Sequence, residues 1–285
     1  MYKLVCIDMD GTLLNSKREI SDINKSALKK AFDMGVHIVI TTGRIYLNAE
    51  YYSDLIGIKS PIIASNGAII KEKGSNEFIY KAVIPKEINL QILEICNKYK
   101  LYPRFHTITD IYYSDSLFNF MNLMFYFSFA LKVKSKDHRV RMHYIKSKRK
   151  WHEVFNLKKE DIVKCEIYSF DKEKIKNVYD ELKKIGSIKV VPGFNSLEIT
   201  RKDVSKGSAI KFLAEKYKIK REEIVAIGDS ENDIEMIQYA GFGVAMGNAI
   251  KAVKEKANYI TTSNDEDGVA KVINEFIINS EEKYA

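Results

Sequence analysis

The sequence predicts an α/β protein built on a parallel sheet and interrupted by a separate α+β unit. Three observations lead there. Short apolar runs rich in β-branched residues alternate with amphipathic helical patterns over the first 85 residues, which is the signature of βαβ units. The same alternation returns near residue 200. Between the two stretches the pattern changes, and each flanking piece carries half of one chemical constellation, so the middle reads as an insertion into the α/β core.

The elements follow in order. Leu4 to Ile7 is a first buried strand. Ser21 is a helix N-cap, the helix runs to Gly35, and Val36-His37-Ile38-Val39-Ile40 reads as the second strand. Pro61-Ile62-Ile63-Ala64 reads as another. Pro85 opens a helix to about Lys100, followed by an aromatic-rich stretch from Leu117 to Leu131, a basic segment, and a strand-helix-strand-strand pattern from Lys164 to Thr200. The core pattern then resumes: a helix over Ser205 to Tyr217, a strand over Ile224 to Ile227, a helix over Glu231 to Ala240, a strand over Gly243 to Met246 and a last helix over Val269 to Ile278. Residues 1–84 and 200–285 therefore form the expected core domain, and 85–199 the expected inserted domain.

Length and composition agree with this division. At 285 residues and 46% hydrophobic content the chain suggests roughly two globular domains and excludes disorder and collagen-like structure. Cys6, Cys96 and Cys165 are odd in number and far apart, so they form no CxxC pair and no secreted disulfide framework; a reducing cytoplasm is expected. The acidic residues at positions 8 and 10 come too early for a signal peptide. The stretch from Leu117 to Leu131 is shorter than the ~20 residues of a bilayer-crossing helix and contains Asn119, Asn122 and Ser128. Of the net charge of +8, the whole excess lies between Lys132 and Lys150, where nine Lys/Arg face Asp137 alone. That local excess reads first as a solvated face, with attraction of anionic substrates and an interfacial anchor as the rival readings, and neither a nucleic-acid partner nor membrane contact is expected.

The strongest chemical signal is Asp8-Met9-Asp10-Gly11-Thr12-Leu13-Leu14, which places two carboxylates two residues apart at the carboxyl end of a strand, where α/β sheets bind ligands. One carboxylate can attack a phosphoryl group while a neighbouring carboxyl protonates the leaving oxygen and later activates water. Thr41-Thr42-Gly43-Arg44 follows the second strand, Lys206 opens a later helix, and Gly228-Asp229-Ser230-Glu231-Asn232-Asp233 follows the strand at Ile224. Clustered carboxylates at one strand end repel one another, and a hard divalent cation relieves the repulsion. No other motif competes: Gly241 to Gly247 has GxGxxxG spacing, no GxxxxGK[ST] loop or HExxH is present, and His37, His106, His138, His143 and His152 lie apart.

These four motifs, in this order, resemble the haloacid dehalogenase (HAD) superfamily of phosphatases. Ser65-Asn66-Gly67-Ala68, Ala245-Met246-Gly247-Asn248-Ala249 and the position of the insertion resemble its Cof-type branch, type IIB, with a C2B cap. The resemblance implies a HAD-like Rossmannoid core with a parallel sheet plus an inserted α+β cap domain that sets substrate specificity. It also implies a Mg²⁺-dependent phosphatase working through an aspartyl phosphate, with Asp8 as nucleophile and Asp10 as acid/base. Met9, Gly11, Thr12, Thr42, Gly43, Lys206 and Asn232 would bind phosphate. Mg²⁺ would be held by Asp8 and Asp229 through their side chains and by Asp10 through its backbone carbonyl, with Arg44, Asn66 and Asp233 behind this layer. The substrate would be a small phosphorylated metabolite such as a sugar phosphate or pyridoxal phosphate. A phosphomutase of the same superfamily and a non-catalytic phospho-acceptor module are the rival readings. A general acid beside the nucleophile and an inserted domain both speak against the second.

Overall fold

The computed structural model describes residues 1–75, 77–114, 138–157, 161–193 and 195–279. The aromatic run 117–131 and the basic residues 132–137 lie outside them. The chain divides into two compact units: Met1–Arg44, Ala49–Tyr80 and Ser205–Ala285 form one, and Ile45–Asn48 with Lys81–Val204 the other.

The first unit is built on a parallel sheet of five strands: β1 (Leu4–Ile7), β2 (His37–Ile40), β12 (Ile224–Gly228), β13 (Phe242–Ala245) and β14 (Tyr259–Ile260), numbered along the whole chain. Their order is β14-β13-β12-β1-β2. Every side chain of β1 is fully buried, which is why this strand reads as an unbroken apolar run. The chain winds to one side of β1 through β2 and returns on the other through β12, and such a switch point opens a crevice at the carboxyl ends of the two central strands. Register completes the arrangement. Ile7 pairs with Ile227, so the residues following β1 and β12 emerge side by side.

Helices Asp22–Asp33, Tyr46–Ile56 and Lys206–Tyr217 also belong to the core pattern. The first is capped by Ser21, whose hydroxyl accepts from the Asn24 N–H at 3.0 Å, as its sequence predicts. The run at Pro61 to Ala64 behaves differently. It yields β3 (Ile62–Ala64), which belongs to an antiparallel sheet with β4 (Ile69–Lys71) and β5 (Phe78–Lys81). Among the described residues only the Thr41–Ile63 bridge continues the parallel direction from β2. The helix expected over Glu231 to Ala240 begins as a 3₁₀ turn, Glu231–Asp233, before Ile234–Tyr239 becomes α-helical.

The second unit contains a six-stranded mixed sheet in the order β10-β11-β9-β6-β7-β8. The strands are β6 (Arg104–His106), β7 (Asp110–Tyr113), β8 (Arg141–Tyr144), β9 (Lys164–Tyr168), β10 (Ile188–Pro192) and β11 (Ser196–Arg201), with helices Lys86–Lys98 and Lys172–Leu182. Its core gathers Ile92, Phe105, Trp151, Phe155, Cys165, Ile167, Leu197 and Ile199. The opposite parity of the same strands carries buried charge. Arg104, Lys164 and Glu166 are held by ion pairs of 2.5 Å (Arg104–Glu166) and 2.8 Å (Lys164–Glu166), with Glu198 3.0 Å from Lys164. In the described part of the basic segment, Lys146, Lys148, Arg149 and Lys150 are exposed. Among the described residues no helix is long and apolar enough to cross a membrane.

Candidate active site

The carboxyl ends of β1 and β12 supply Asp8 and Asp229, and the turn after β12 supplies Asp233. One carboxylate oxygen from each lies within 4.8 Å of the other two. Lys206 stands at the start of helix Lys206–Tyr217, which Ser205 caps through a capping box with Ser208. Its ammonium is fully buried and donates to Asp8 Oδ1 at 2.5 Å and to Asp233 Oδ1 at 2.6 Å. The other Asp233 oxygen accepts the backbone N–H groups of Asp229 and Ser230, each at 2.9 Å. Asp229 accepts from the Thr12 hydroxyl at 2.7 Å and the Ser230 hydroxyl at 3.0 Å.

Charge is not balanced here. Three carboxylates face one ammonium. Burial pushes the Asp8 carboxyl well above the ordinary carboxylate range; the charges of Asp233 and Asp229 push the same way, and Lys206 opposes them. Asp229 is raised as well, first by burial and then by Asp233, against the hydrogen bond from Thr12. For Lys206, burial disfavours the charge, yet Asp233 and Asp8 outweigh it and hold the ammonium protonated. The cluster is therefore short of positive charge and offers oxygen donors only, a set that fits a hard divalent cation and not zinc.

Gly11 shows how tightly the loop is drawn over this cluster. Its φ is +78°, and a Cβ placed there would sit 2.5 Å from Asp229 Oδ2 and 2.9 Å from its Cγ. Only glycine accepts both the left-handed backbone and the close approach. Met9 has a fully buried side chain, so only its backbone can reach a ligand.

The other sequence-predicted residues form two further groups. Thr42 is buried at the end of β2, and its hydroxyl accepts the Arg44 N–H at 3.1 Å across Gly43. Its carbonyl accepts the Asn66 N–H at 3.0 Å, and Asn66 Oδ1 accepts from Asn232 Nδ2 at 3.1 Å. Asn66 thus links the second and fourth motifs. Asp10 stands outside the carboxylate cluster: its side chain is exposed, and Arg44 grips both of its oxygens, Nε donating to Oδ2 at 2.7 Å and Nη2 to Oδ1. One bracing residue was not singled out from sequence. Asn248 Nδ2 donates to the Gly11 carbonyl at 2.8 Å, while its Oδ1 accepts the Asn264 N–H at 3.0 Å, so the turn after β13 braces the loop after β1. The Met246-Gly247-Asn248-Ala249 motif marks that turn in the sequence but not its contact.

Residues 5–273 match the haloacid dehalogenase-like hydrolase family. The chain belongs to this family. A 5-amino-6-(5-phospho-D-ribitylamino)uracil phosphatase of Bacillus subtilis is 33% identical, the match covering 97% of this chain and 96% of that protein. The crystal structure of a haloacid dehalogenase-like hydrolase from Bacteroides thetaiotaomicron shares the fold with a TM-score of 0.82 at 30% identity, covering 97% of this chain and all of the other. A sugar phosphatase of HAD subclass IIB matches with a TM-score of 0.78 at 27% identity, over 96% of this chain and 98% of that one. The expected superfamily, its Cof-type branch and the α/β fold are thereby borne out. Family membership and phosphatase relatives together support phosphatase activity in this haloacid dehalogenase-like hydrolase.

Proposed function

We propose that this hydrolase is a cytoplasmic, Mg²⁺-dependent phosphatase of small phosphorylated metabolites, working through an aspartyl phosphate on Asp8. The observation that carries the reading is the buried Asp8 carboxylate at a strand end, 2.5 Å from the Lys206 ammonium and within an all-oxygen acidic cluster. Asp8 and Asp229, with the backbone carbonyl of Asp10, would hold the cation. Bound there, Mg²⁺ would supply the missing positive charge to the carboxylates and to the phosphoryl oxygens.

The chain's own residues carry the steps. One Asp8 oxygen attacks phosphorus, the bond from phosphorus to the leaving oxygen breaks, and Asp10 gives that oxygen a proton. The Asp10 carboxylate then takes a proton from water as the water oxygen attacks phosphorus, the acyl phosphate bond breaks, and orthophosphate leaves with Asp8 restored. Lys206 and the backbone amides of Met9, Gly11, Thr12 and Gly43, with Thr42 and Asn232, stabilise the equatorial oxygens. Asn66 and Asp233 hold Asn232 and Lys206 in place. Residues 85–199 would serve as the cap that selects the leaving group, and relatives named for a ribitylaminouracil phosphate and for sugar phosphates point to a polar, hydroxyl-rich one.

Phosphate release across a panel of metabolite phosphates, sugar phosphates and pyridoxal phosphate included, tests this reading. Asp8→Asn should abolish turnover, and EDTA should silence the enzyme until Mg²⁺ is restored. Retention of a tenth of the activity by Asp8→Asn would overturn the nucleophile. Full activity after exhaustive chelation would overturn the metal. Transfer of phosphate within a sugar in place of its release would make the enzyme a mutase.

A further inference from the structure

Asp10 is an exposed carboxylate, with 57% of its side chain open to solvent, while the Arg44 side chain that grips it is 11% exposed. A solvated carboxylate samples several rotamers, and a proton donor that must meet one oxygen of an ester loses rate steeply when misplaced. Orientation of Asp10 therefore falls to Arg44. A guanidinium on four torsions needs a support of its own, and Tyr52 provides it. The Tyr52 ring, 5% exposed, lies with its centroid 5.5 Å from Arg44 Cζ. Its hydroxyl donates to the Arg18 carbonyl at 3.1 Å, in the loop that leaves the first motif, where Arg18 itself has a φ of 60°. Tyr52, on helix Tyr46–Ile56, thus supplies a buried aromatic wall, tied through its hydroxyl, for the cation that holds Asp10.

We infer that Tyr52 is a positioning residue for the proton transfer, acting through Arg44 on Asp10. Neither Tyr52 nor Arg44 exchanges a proton: the proton passes from Asp10 to the leaving oxygen as the phosphorus–oxygen bond breaks. The inference rests on the acid/base reading of Asp10 given above.

Leaving-group dependence tests it, because kcat/KM reports the steps up to departure of the leaving group. Phenyl phosphate needs protonation to depart, and acetyl phosphate does not. Tyr52→Leu and Arg44→Lys should lower kcat/KM for phenyl phosphate about tenfold, and for acetyl phosphate by less than about twofold. Tyr52→Phe, which keeps the ring and loses the tie to Arg18, should fall between wild type and Tyr52→Leu. With Asp10→Asn already present, Tyr52→Leu should add no further loss on phenyl phosphate. Equal losses on both substrates, or full additivity with Asp10→Asn, would overturn the inference. Should Tyr52→Leu fail to fold, Tyr52→Phe and Arg44→Lys carry the same comparison. If Asp10→Asn itself shows no difference between the two esters, the acid/base reading falls. If Asp10→Asn shows the difference and the Tyr52 and Arg44 variants do not, only the positioning role falls.

Discussion

Replacing Lys206 with methionine removes one ammonium and keeps most of the side-chain volume, so the perturbation is almost purely electrostatic. The Lys206 side chain is 1% exposed and its ammonium makes two ion pairs, 2.5 Å to Asp8 and 2.6 Å to Asp233. Taking one partner from a buried pair costs about 3–5 kcal/mol, because the remaining charge is left uncompensated. Two carboxylates are stranded here, but burial already pushes the Asp8 carboxyl well above the ordinary carboxylate range, which eases its protonation and keeps the loss at the low end of that interval. A destabilisation of about 3 kcal/mol is expected at pH 7 in EDTA. Urea unfolding followed by far-UV circular dichroism measures it. Added Mg²⁺ should recover part of the stability, since it supplies positive charge to the same carboxylates. It should not recover the rate, which loses about 10²–10³-fold with a charge aimed at the phosphoryl oxygens. Lys206→Arg should fail as a substitute, for a planar guanidinium does not fit a closed site shaped around an ammonium. A loss below about 1 kcal/mol is what an exposed ion pair gives, and would refute the reasoning.

Gly11→Ala should cost about 2–4 kcal/mol, the left-handed backbone accounting for about 1–2 of it and the displaced Asp229, with its hydrogen bonds from Thr12 and Ser230, for the rest; urea midpoints with and without Mg²⁺ report it. Asp110 tests the second unit by pH. Burial raises its carboxyl, but hydrogen bonds from Arg141, Thr109 and His143 prevail and bring it down to about 2. The folded value lies below the unfolded one, so its contribution is present above about pH 4 and disappears as the pH falls toward 2. Asp110→Asn should therefore lower stability by about 1–2 kcal/mol at pH 7, after allowance for solvent screening, and the gap in Tm should close between about pH 4 and 2. Ser114→Ala leaves the buried Trp151 Nε1, now 3.0 Å from the Ser114 hydroxyl, without that partner and should cost about 1–2 kcal/mol, read by the fluorescence of this sole tryptophan in urea.

How much of this was legible in the sequence depended on how each element is buried. β1, β2 and β12 lie inside a parallel sheet, so they read as apolar runs, and the carboxylates at their ends stand out against such a background. β6, β7 and β8 left no comparable signal. They are three or four residues long, and β6 has Arg104 and His106 on one side of Phe105. Arg104 and Lys164 look like surface residues in sequence, yet both are buried because Glu166 pairs with each of them and the Tyr168 ring lies 4.4 Å from the Arg104 guanidinium. Burial through charge pairing has no periodicity of its own, so β6 could not be read. The brace from Asn248 to Gly11 was hidden for another reason: it joins residues 237 positions apart, and a side-chain amide in a turn does not announce its partner.

Asp8 and Asp10 are two residues apart and differ in environment as much as two carboxylates can. Asp8 continues a fully buried strand and is 5% exposed; Asp10 lies past the turn, with its side chain 57% exposed. Strand geometry alone would send residues i and i+2 to the same face, so the separation must come from the turn. Leu13 and Leu14 N–H groups return to the Asp8 and Met9 carbonyls, Gly11 takes a positive φ, and the chain doubles back over Asp229. In the proposed mechanism each position suits its task. A nucleophile gains from being held dry against Lys206, where no water competes for the phosphoryl group. An acid that must lose a proton and regain one from water has to stay wet, and a wet carboxylate keeps a single orientation only when something less mobile holds it. Arg44, backed by Tyr52, is the group in position to do so. The requirement for water at Asp10 and the requirement for order at Asp10 are therefore met by different residues, which is why the clamp is built from the second strand's turn and its helix, and not from the first motif itself.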